Sequence, residues 1–374
     1  MNPNEKETMQ LSLRDRFWKS WFPPAAVAGA FTAFVAAAFR VRPTPQSVPG
    51  AATPAEAPQS GGQAGKSAQP PRRFDREYVQ IAVLGGAASA HPFRRSLAGI
   101  AVGAGDRIYA LGDDEIRIFD AGGNVISKWK TVEKAACLTA GPDGRIYVGA
   151  NNLVEIYDAG GSRVGGFAAG EAKAPARITA IKTYGKEILV ADADARIIRR
   201  YDMSGRQLGL IGTENKTGSF ILPNKSLDID VDAKGVVRAT DTGRHQVTAW
   251  AIGGSPLGKF GKFGMSNPED FVGCCNPVNL AIAPDGKVVT AEKMISRVKV
   301  YEPDGKLLAV IGPENFDPNC VHIHLAVDSK GRILAADPVR REIKIFSLVA
   351  GTGNEPLGGL HSPADGKLEE KPHA

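Results

Sequence analysis

From about residue 97 the chain repeats one unit six times, and a repeat of 40–50 residues restricts the fold more than any other feature of the sequence. Each unit starts with a short apolar strand, turns at Gly or Asp-Gly, continues into a β-branched strand, crosses a polar turn and enters a strand ending on an aromatic. A further Gly turn and a fourth strand follow. The aromatic ends are Phe119, Tyr157, Tyr201, Trp250, Tyr301 and Phe346, spaced 38, 44, 49, 51 and 45 residues apart. The turns behind them close on glycine, as in Asp120-Ala121-Gly122-Gly123, Asp158-Ala159-Gly160-Gly161 and Glu302-Pro303-Asp304-Gly305. Glycine belongs there because such turns need positive φ at their last position.

Four strands per unit at this period predict an all-β, six-bladed β-propeller rather than a β-solenoid, whose coils are shorter. The ends of the array predict how it closes. The sixth unit stops after its third strand, Glu342-Ile343-Lys344-Ile345-Phe346, whereas Tyr78-Val79-Gln80-Ile81-Ala82-Val83-Leu84-Gly85, ahead of the first unit, has the pattern of a fourth strand. The N-terminal strand is therefore expected to complete the sixth blade, which leaves no open end to the ring.

Ahead of the repeats, Trp21 to Phe39 holds nineteen residues without a charge. As a helix it would reach about 28 Å, close to the ~30 Å hydrocarbon core of a bilayer. Residues 43–71 then carry seven prolines and only Glu56 and Lys66 as charges, a composition that cannot bury a core. The expected organisation is a cytoplasmic N-terminus (1–20), a transmembrane anchor or signal sequence (21–39), a Pro/Ala/Gly-rich linker (40–74), the propeller (75–350) and a flexible tail (351–374). Basic flanks favour a single-pass protein with its propeller on the extracytoplasmic, periplasmic side, or a secreted protein if Ala36-Ala37-Ala38 is a cleavage site. The net charge of +6 lies largely in this segment: residues 1–74 hold nine Lys/Arg against four Asp/Glu. The propeller is near balance, which argues against nucleic acid as a partner. The pairs Arg199-Arg200 and Arg340-Arg341 are expected on solvated faces.

Leu189-Val190-Ala191-Asp192, Ala239-Thr240-Asp241, Val289-Thr290-Ala291-Glu292 and Leu334-Ala335-Ala336-Asp337 each end nine residues before their aromatic. With inner strands such as Pro277-Val278-Asn279-Leu280-Ala281-Ile282, this pattern resembles the NHL repeat of six-bladed propellers over about residues 77–350, most specifically in the third, fifth and sixth units. Units one and two lack the acidic residue. An acid before a polar turn is expected to bond local backbone rather than do chemistry. The resemblance implies a family of protein-binding and RNA-binding modules, with related propellers acting as lyases and metal-dependent hydrolases. In the lyase relatives metal-binding histidines follow the proline that begins the inner strand. This chain has Ala98, Ala136, Ile178, Leu227, Val278 and Ile323 there, and none can bind a metal.

One residue further along lie Gly99, Cys137, Thr179, Asp228, Asn279 and His324. Asp228, Asn279 and His324 come from consecutive blades at one level and offer O, O and N donors that suit a divalent ion. Asn276, Asn279, His322, His324 and Asp228 are the expected ligand-binding face. Cys275 and Cys320 occupy equivalent places in neighbouring units, so a Cys275–Cys320 disulfide is expected, with Cys274 as the alternative partner. A vicinal Cys274–Cys275 bridge, a thiolate metal site and a redox switch are the other readings of these thiols. Cys137 is expected as a buried free thiol. No catalytic constellation and no cofactor emerge from the sequence, apart from the possible divalent ion. The preferred function is binding of a protein, glycan or small ligand by loops on one face. The alternatives are a metal-dependent hydrolase or lyase at the axis, or a redox-associated protein using its paired cysteines.

Overall fold

The computed structural model describes Phe74, residues 76–213 and residues 219–349. The expected anchor at 21–39, nearly all of the linker and the tail after residue 350 lie outside the described residues. Among the described residues no helix is long and apolar enough to cross a membrane.

Six four-stranded antiparallel sheets follow one another along the chain. Blade one comprises Gly99–Val102, Ile108–Gly112, Glu115–Phe119 and Val125–Lys130. Blade two runs through Ala135–Ala140, Ile146–Ala150, Leu153–Tyr157 and Arg163–Ala168, and blade three through Ile178–Tyr184, Glu187–Asp192, Ile197–Asp202 and Gln207–Ile211. Blade four uses Ile229–Val231, Val236–Asp241, Gln246–Ala251 and Pro256–Phe260; blade five uses Asn279–Ile282, Val288–Glu292, Arg297–Tyr301 and Leu307–Ile311. Blade six takes His324–Val327, Ile333–Asp337 and Glu342–Leu348 from the end of the chain and Tyr78–Leu84 from its beginning. That last strand pairs antiparallel from Tyr78 opposite Leu348 to Leu84 opposite Ile343, as the unfinished sixth unit predicts.

The core is divided among the six gaps between blades. Each gap holds one cluster of buried residues from the facing sheets, including a cluster that joins Leu334, Ala336 and Ile343 of blade six to Ile100, Ile108 and Phe119 of blade one. Second strands such as Ile108–Gly112 and Ile333–Asp337 are buried along their whole length because a neighbour covers each face. This explains their continuous apolar runs in place of an alternating pattern. The outer strands of blades one and two are more open: Val125–Lys130 has no buried residue, and Arg163–Ala168 alternates between half-buried and exposed positions over most of its length.

The aromatic that ends each third strand is buried in every blade, at 1–6% exposure. Two of them meet an aromatic on the outer strand of the preceding blade: Tyr201 stands 4.9 Å from Phe167 and Tyr301 stands 5.0 Å from Phe260. The glycine that closes the following turn has two independent reasons to be glycine. Gly205 and Gly305 have φ of +87° and +98°, and a Cβ there would lie 2.5 Å from Phe167 and from Phe260. The outer edge of one blade thus seats on the bare turn of the next.

An antiparallel meander sorts the loops onto two faces. The entrance loops before the inner strands and the turns between second and third strands share one face, called here the entrance face. The chain joins the ring at Tyr78 and leaves it at Leu348, which pair side by side on the opposite face.

Candidate functional site

Four acidic residues at the ends of second strands shape the entrance face. Asp192 accepts from the backbone amides of Arg177 and Ala195 and from Arg199 Nε at 2.8 Å. Asp241 accepts from Ile221 N at 3.0 Å and from Arg244 Nη1 at 2.6 Å. Glu292 holds Val272 N and Arg297, and Asp337 holds Asp317 N at 2.7 Å together with Val339 N and Arg340 N. Each acid therefore fastens an entrance loop to its own blade, which is the backbone role expected of it. Blade one has the same latch at a shifted position that the nine-residue spacing does not reveal: Asp113 accepts from the amides of Arg94, Arg95 and Ser96 and pairs with Arg117. The expectation of a solvated basic pair is corrected for Arg199-Arg200. Arg199 is 6% exposed beside Asp192, and Arg200 makes two 2.8 Å bonds to Glu187.

The six positions Gly99, Cys137, Thr179, Asp228, Asn279 and His324 all line one cavity of about 40 Å3 where the inner strands meet. The strand index read from the turn glycines is correct at that level. The preceding positions Ile178, Leu227, Val278 and Ile323 are buried, at 0–3% exposure, the first, second and fourth of them in the gaps between blades, and Ala136 is exposed.

Within the cavity Asp228 acts across a blade boundary. Its Oδ2 accepts from Asn279 Nδ2 at 3.0 Å and from Leu280 N at 2.9 Å, both in blade five, while Oδ1 accepts from Ile229 N at 3.0 Å. Burial raises the Asp228 pKa, opposed chiefly by the charge of Lys182. Asp230, two residues on and on the same strand face, repeats the device: Oδ2 takes Ile282 N at 2.9 Å and Oδ1 lies 3.2 Å from Lys182 Nζ of blade three. Asp230 and Lys182 were not singled out from the sequence, although the alternation Asp228-Ile229-Asp230 carries the signal.

His324 shares this cavity, and burial, reinforced by His322, pushes its pKa down to about 3. The two imidazoles lie 6.5 Å apart and nearly parallel, and burial followed by the charge of Lys293 lowers His322 as well. His324 is consequently neutral near pH 7. Asn279 Oδ1 is buried without a hydrogen-bond partner among the described residues. A polar cavity of this size has room for a bound water or a small ion, not for a sugar. For a divalent ion the set supplies one imidazole, one amide oxygen and one carboxylate already engaged by three donors. Among the described residues no three His, Cys, Asp or Glu side chains gather to hold a metal.

Two expectations at the loops are corrected. Asn276 is fully buried and its amide clamps its own loop: Nδ2 donates to Val272 O and Lys293 O, and Oδ1 accepts from Lys293 N at 3.0 Å. It faces no ligand. All four cysteines are free thiols, so the Cys275–Cys320 bridge is not formed. Cys275, at φ +65°, turns its sulfur to within 3.3 Å of Cys274 Sγ, whereas Cys320 Sγ donates to His322 O at 3.3 Å. Cys137 is buried in the inner strand of blade two, where burial raises its thiol pKa to about 12.

The larger feature of the entrance face is apolar. Fifteen large apolar side chains stand exposed among the described residues; seven lie along outer strands, seven on the entrance face and only Leu348 at the opposite face. Sequence reasoning did not find this group, since an apolar residue in a loop has no period to mark it. Over blades four to six it comprises Ile221, Phe263, Met265, Met294, Val321 and Val339, from 41% exposed at Ile221 to 71% at Met265. Its supports are connected. His245 Nε2 lies 2.8 Å from Gly273 O and its ring is 5.2 Å from that of Phe263, while a Cβ on Gly273 would meet Met294 Sδ at 2.3 Å.

No protein-family model matches the chain, and no curated protein does. Solved structures do resemble it. A chain in the crystal structure of the mitotic checkpoint complex is 12% identical, with a TM-score of 0.49 over 83% of this chain and 98% of that one. The WD40 β-propeller domain of Doa1 is 15% identical, with a TM-score of 0.49 over 69% of this chain and 80% of that domain. The assignment of six blades rests on the strand pairing described above.

Proposed function

We propose that this propeller is a protein-binding module whose entrance face over blades four to six receives an apolar segment of a partner. The observation that carries the reading is the group formed by Ile221, Phe263, Met265, Met294 and Val321 on one face, against Leu348 alone on the other among the described residues. Methionine suits such a surface because its unbranched thioether adapts to varied apolar partners. Large apolar groups exposed together mark interaction sites more often than chance exposure does. A glycan or drug-sized ligand at the axis is disfavoured, since the cavity of about 40 Å3 is far below the ~300 Å3 or more that such ligands fill.

The same proposal takes the propeller to be of NHL type, on the latch acids Asp192, Asp241, Glu292 and Asp337, and to be held at a membrane by residues 21–39. Tyr78, where the chain enters the ring, lies on the face opposite the apolar one. The test is a photocrosslinker placed on each face in turn in the full-length chain, with adduct yield as the readout; adducts confined to the entrance face support the reading.

A further inference from the structure

Cys274 and Cys275 sit in the loop that enters blade five, and the loop is built so that the two sulfurs face each other. Gly273 and Cys275 both have positive φ, at +71° and +65°, and Asn276 fixes the next residue through three hydrogen bonds to Val272 and Lys293. The sulfurs are 3.3 Å apart. Cys274 is exposed, and Cys275 is 6% exposed beneath it. Neither of the other thiols is turned to this pair: Cys320 is committed to His322 O and Cys137 lies in the inner strand of blade two.

We propose that Cys274 and Cys275 form a redox-active dithiol that closes to a vicinal disulfide by exchange with a small disulfide of the glutathione class. The order of events follows from exposure. The thiolate of Cys274 attacks one sulfur of the small disulfide, the disulfide bond breaks, and one thiolate leaves and takes up a proton. The resulting mixed disulfide places a leaving group on Cys274 Sγ, directly beside Cys275. Cys275 loses its proton to solvent, attacks Cys274 Sγ and displaces the second small thiolate. Two protein thiols and one small disulfide thus become one vicinal disulfide and two small thiols, with no other oxidant required. Burial raises the pKa of Cys275 and the charge of Lys293 opposes that rise, which suits Cys275 to the second step rather than the first. The loop in which the ring closes is also the seat of Met294 on Gly273. Oxidation there would bear on the docking face, a consequence that rests on the proposed function while the chemistry itself does not.

The test is peptide mapping of the full-length protein after incubation with oxidised glutathione, acid quenching, alkylation and tryptic digestion. Residues 263–287 form one fragment that contains Cys274 and Cys275 and no other cysteine, while Cys320 falls in residues 307–330. The expected result is a 263–287 fragment lighter by two hydrogens, free of glutathione, closed to alkylation and restored by dithiothreitol, with Cys320 still alkylated. The Cys275→Ser variant is expected to stop at the mixed disulfide and to retain glutathione on Cys274. A wild-type fragment that retains glutathione, a link from Cys275 to Cys320, or two thiols that remain alkylatable would overturn the proposal. The wild-type map decides the matter even if the variant folds poorly, and it reads the chemistry whether or not a partner docks.

Discussion

Asp228 illustrates how a residue chosen for one reason can matter for another. Its level on the inner strand was legible because each turn glycine indexes the strand beside it, and the structure places it with Asn279 and His324 around one cavity. Its role as a tie between blades four and five was hidden, because the donors Asn279 Nδ2 and Leu280 N lie about fifty residues away in the chain. Replacing Asp228 by Ala leaves those donors buried and unpaired, at a cost of about 1–3 kcal/mol per group. Asp228→Asn keeps one acceptor oxygen, so chemical denaturation should find Asp228→Ala clearly less stable than Asp228→Asn. His324 carries a prediction with a definite sign. Its folded pKa of about 3 lies below its ordinary value of 6.5, so the unfolded chain binds the extra proton and stability falls as pH drops through that window. Lys182, Asp228 and His322 face the same region, and the raised pKa of Asp228 works the other way, favouring the fold as pH falls through its own range. The expected result is a loss of stability between about pH 6.5 and pH 5, where carboxylates of ordinary pKa are still ionised, and a shallower loss in His324→Gln. Equal slopes in the two proteins would contradict it. The thiols were the least legible residues. Equivalent positions in adjacent blades suggested Cys275 with Cys320, but pairing depends on the direction of each Cα–Cβ bond, and the positive φ of Cys275 sends its side chain to its neighbour.

At the scale of elements the sequence was most informative, because a repeated unit states its strand pattern six times. The closing strand Tyr78–Leu84 was recognised from the unpaired third strand of the last unit, and its register opposite Glu342–Leu348 follows. Its removal should therefore be worse than removal of everything before it. A chain beginning at residue 74 is expected to fold and remain monodisperse, whereas one beginning at residue 86 exposes the edge of Glu342–Leu348 and should aggregate in light scattering. Comparable behaviour of the two truncations would refute closure by this strand. Elements outside the repeat pattern were less legible. The latch of blade one uses Asp113 in place of the regular acid, and no spacing rule reveals that a shifted side chain reaches the same loop amides.

For the whole molecule the deciding property is the difference between its faces. The sequence showed six units in a ring but not which loops stay exposed, since exposure depends on what packs above each loop once the ring has closed. The ring takes in and releases its chain on one face and presents Ile221, Phe263, Met265, Met294 and Val321 on the other. The axial cavity of about 40 Å3 is too small for a large ligand, so the proposed recognition surface is the exposed apolar group of the entrance face. The most direct measurement is site-specific photocrosslinking in the full-length chain, comparing probes at Met265, Met294 and Val321 with probes at Gly144, Ser204 and Gly253 on the opposite face. The account predicts a discrete protein adduct from the first three positions alone, and its loss when Phe263 is changed to Glu in the chain carrying the Met294 probe. Adducts of equal yield from both faces, or adducts that persist after Phe263→Glu, would contradict it.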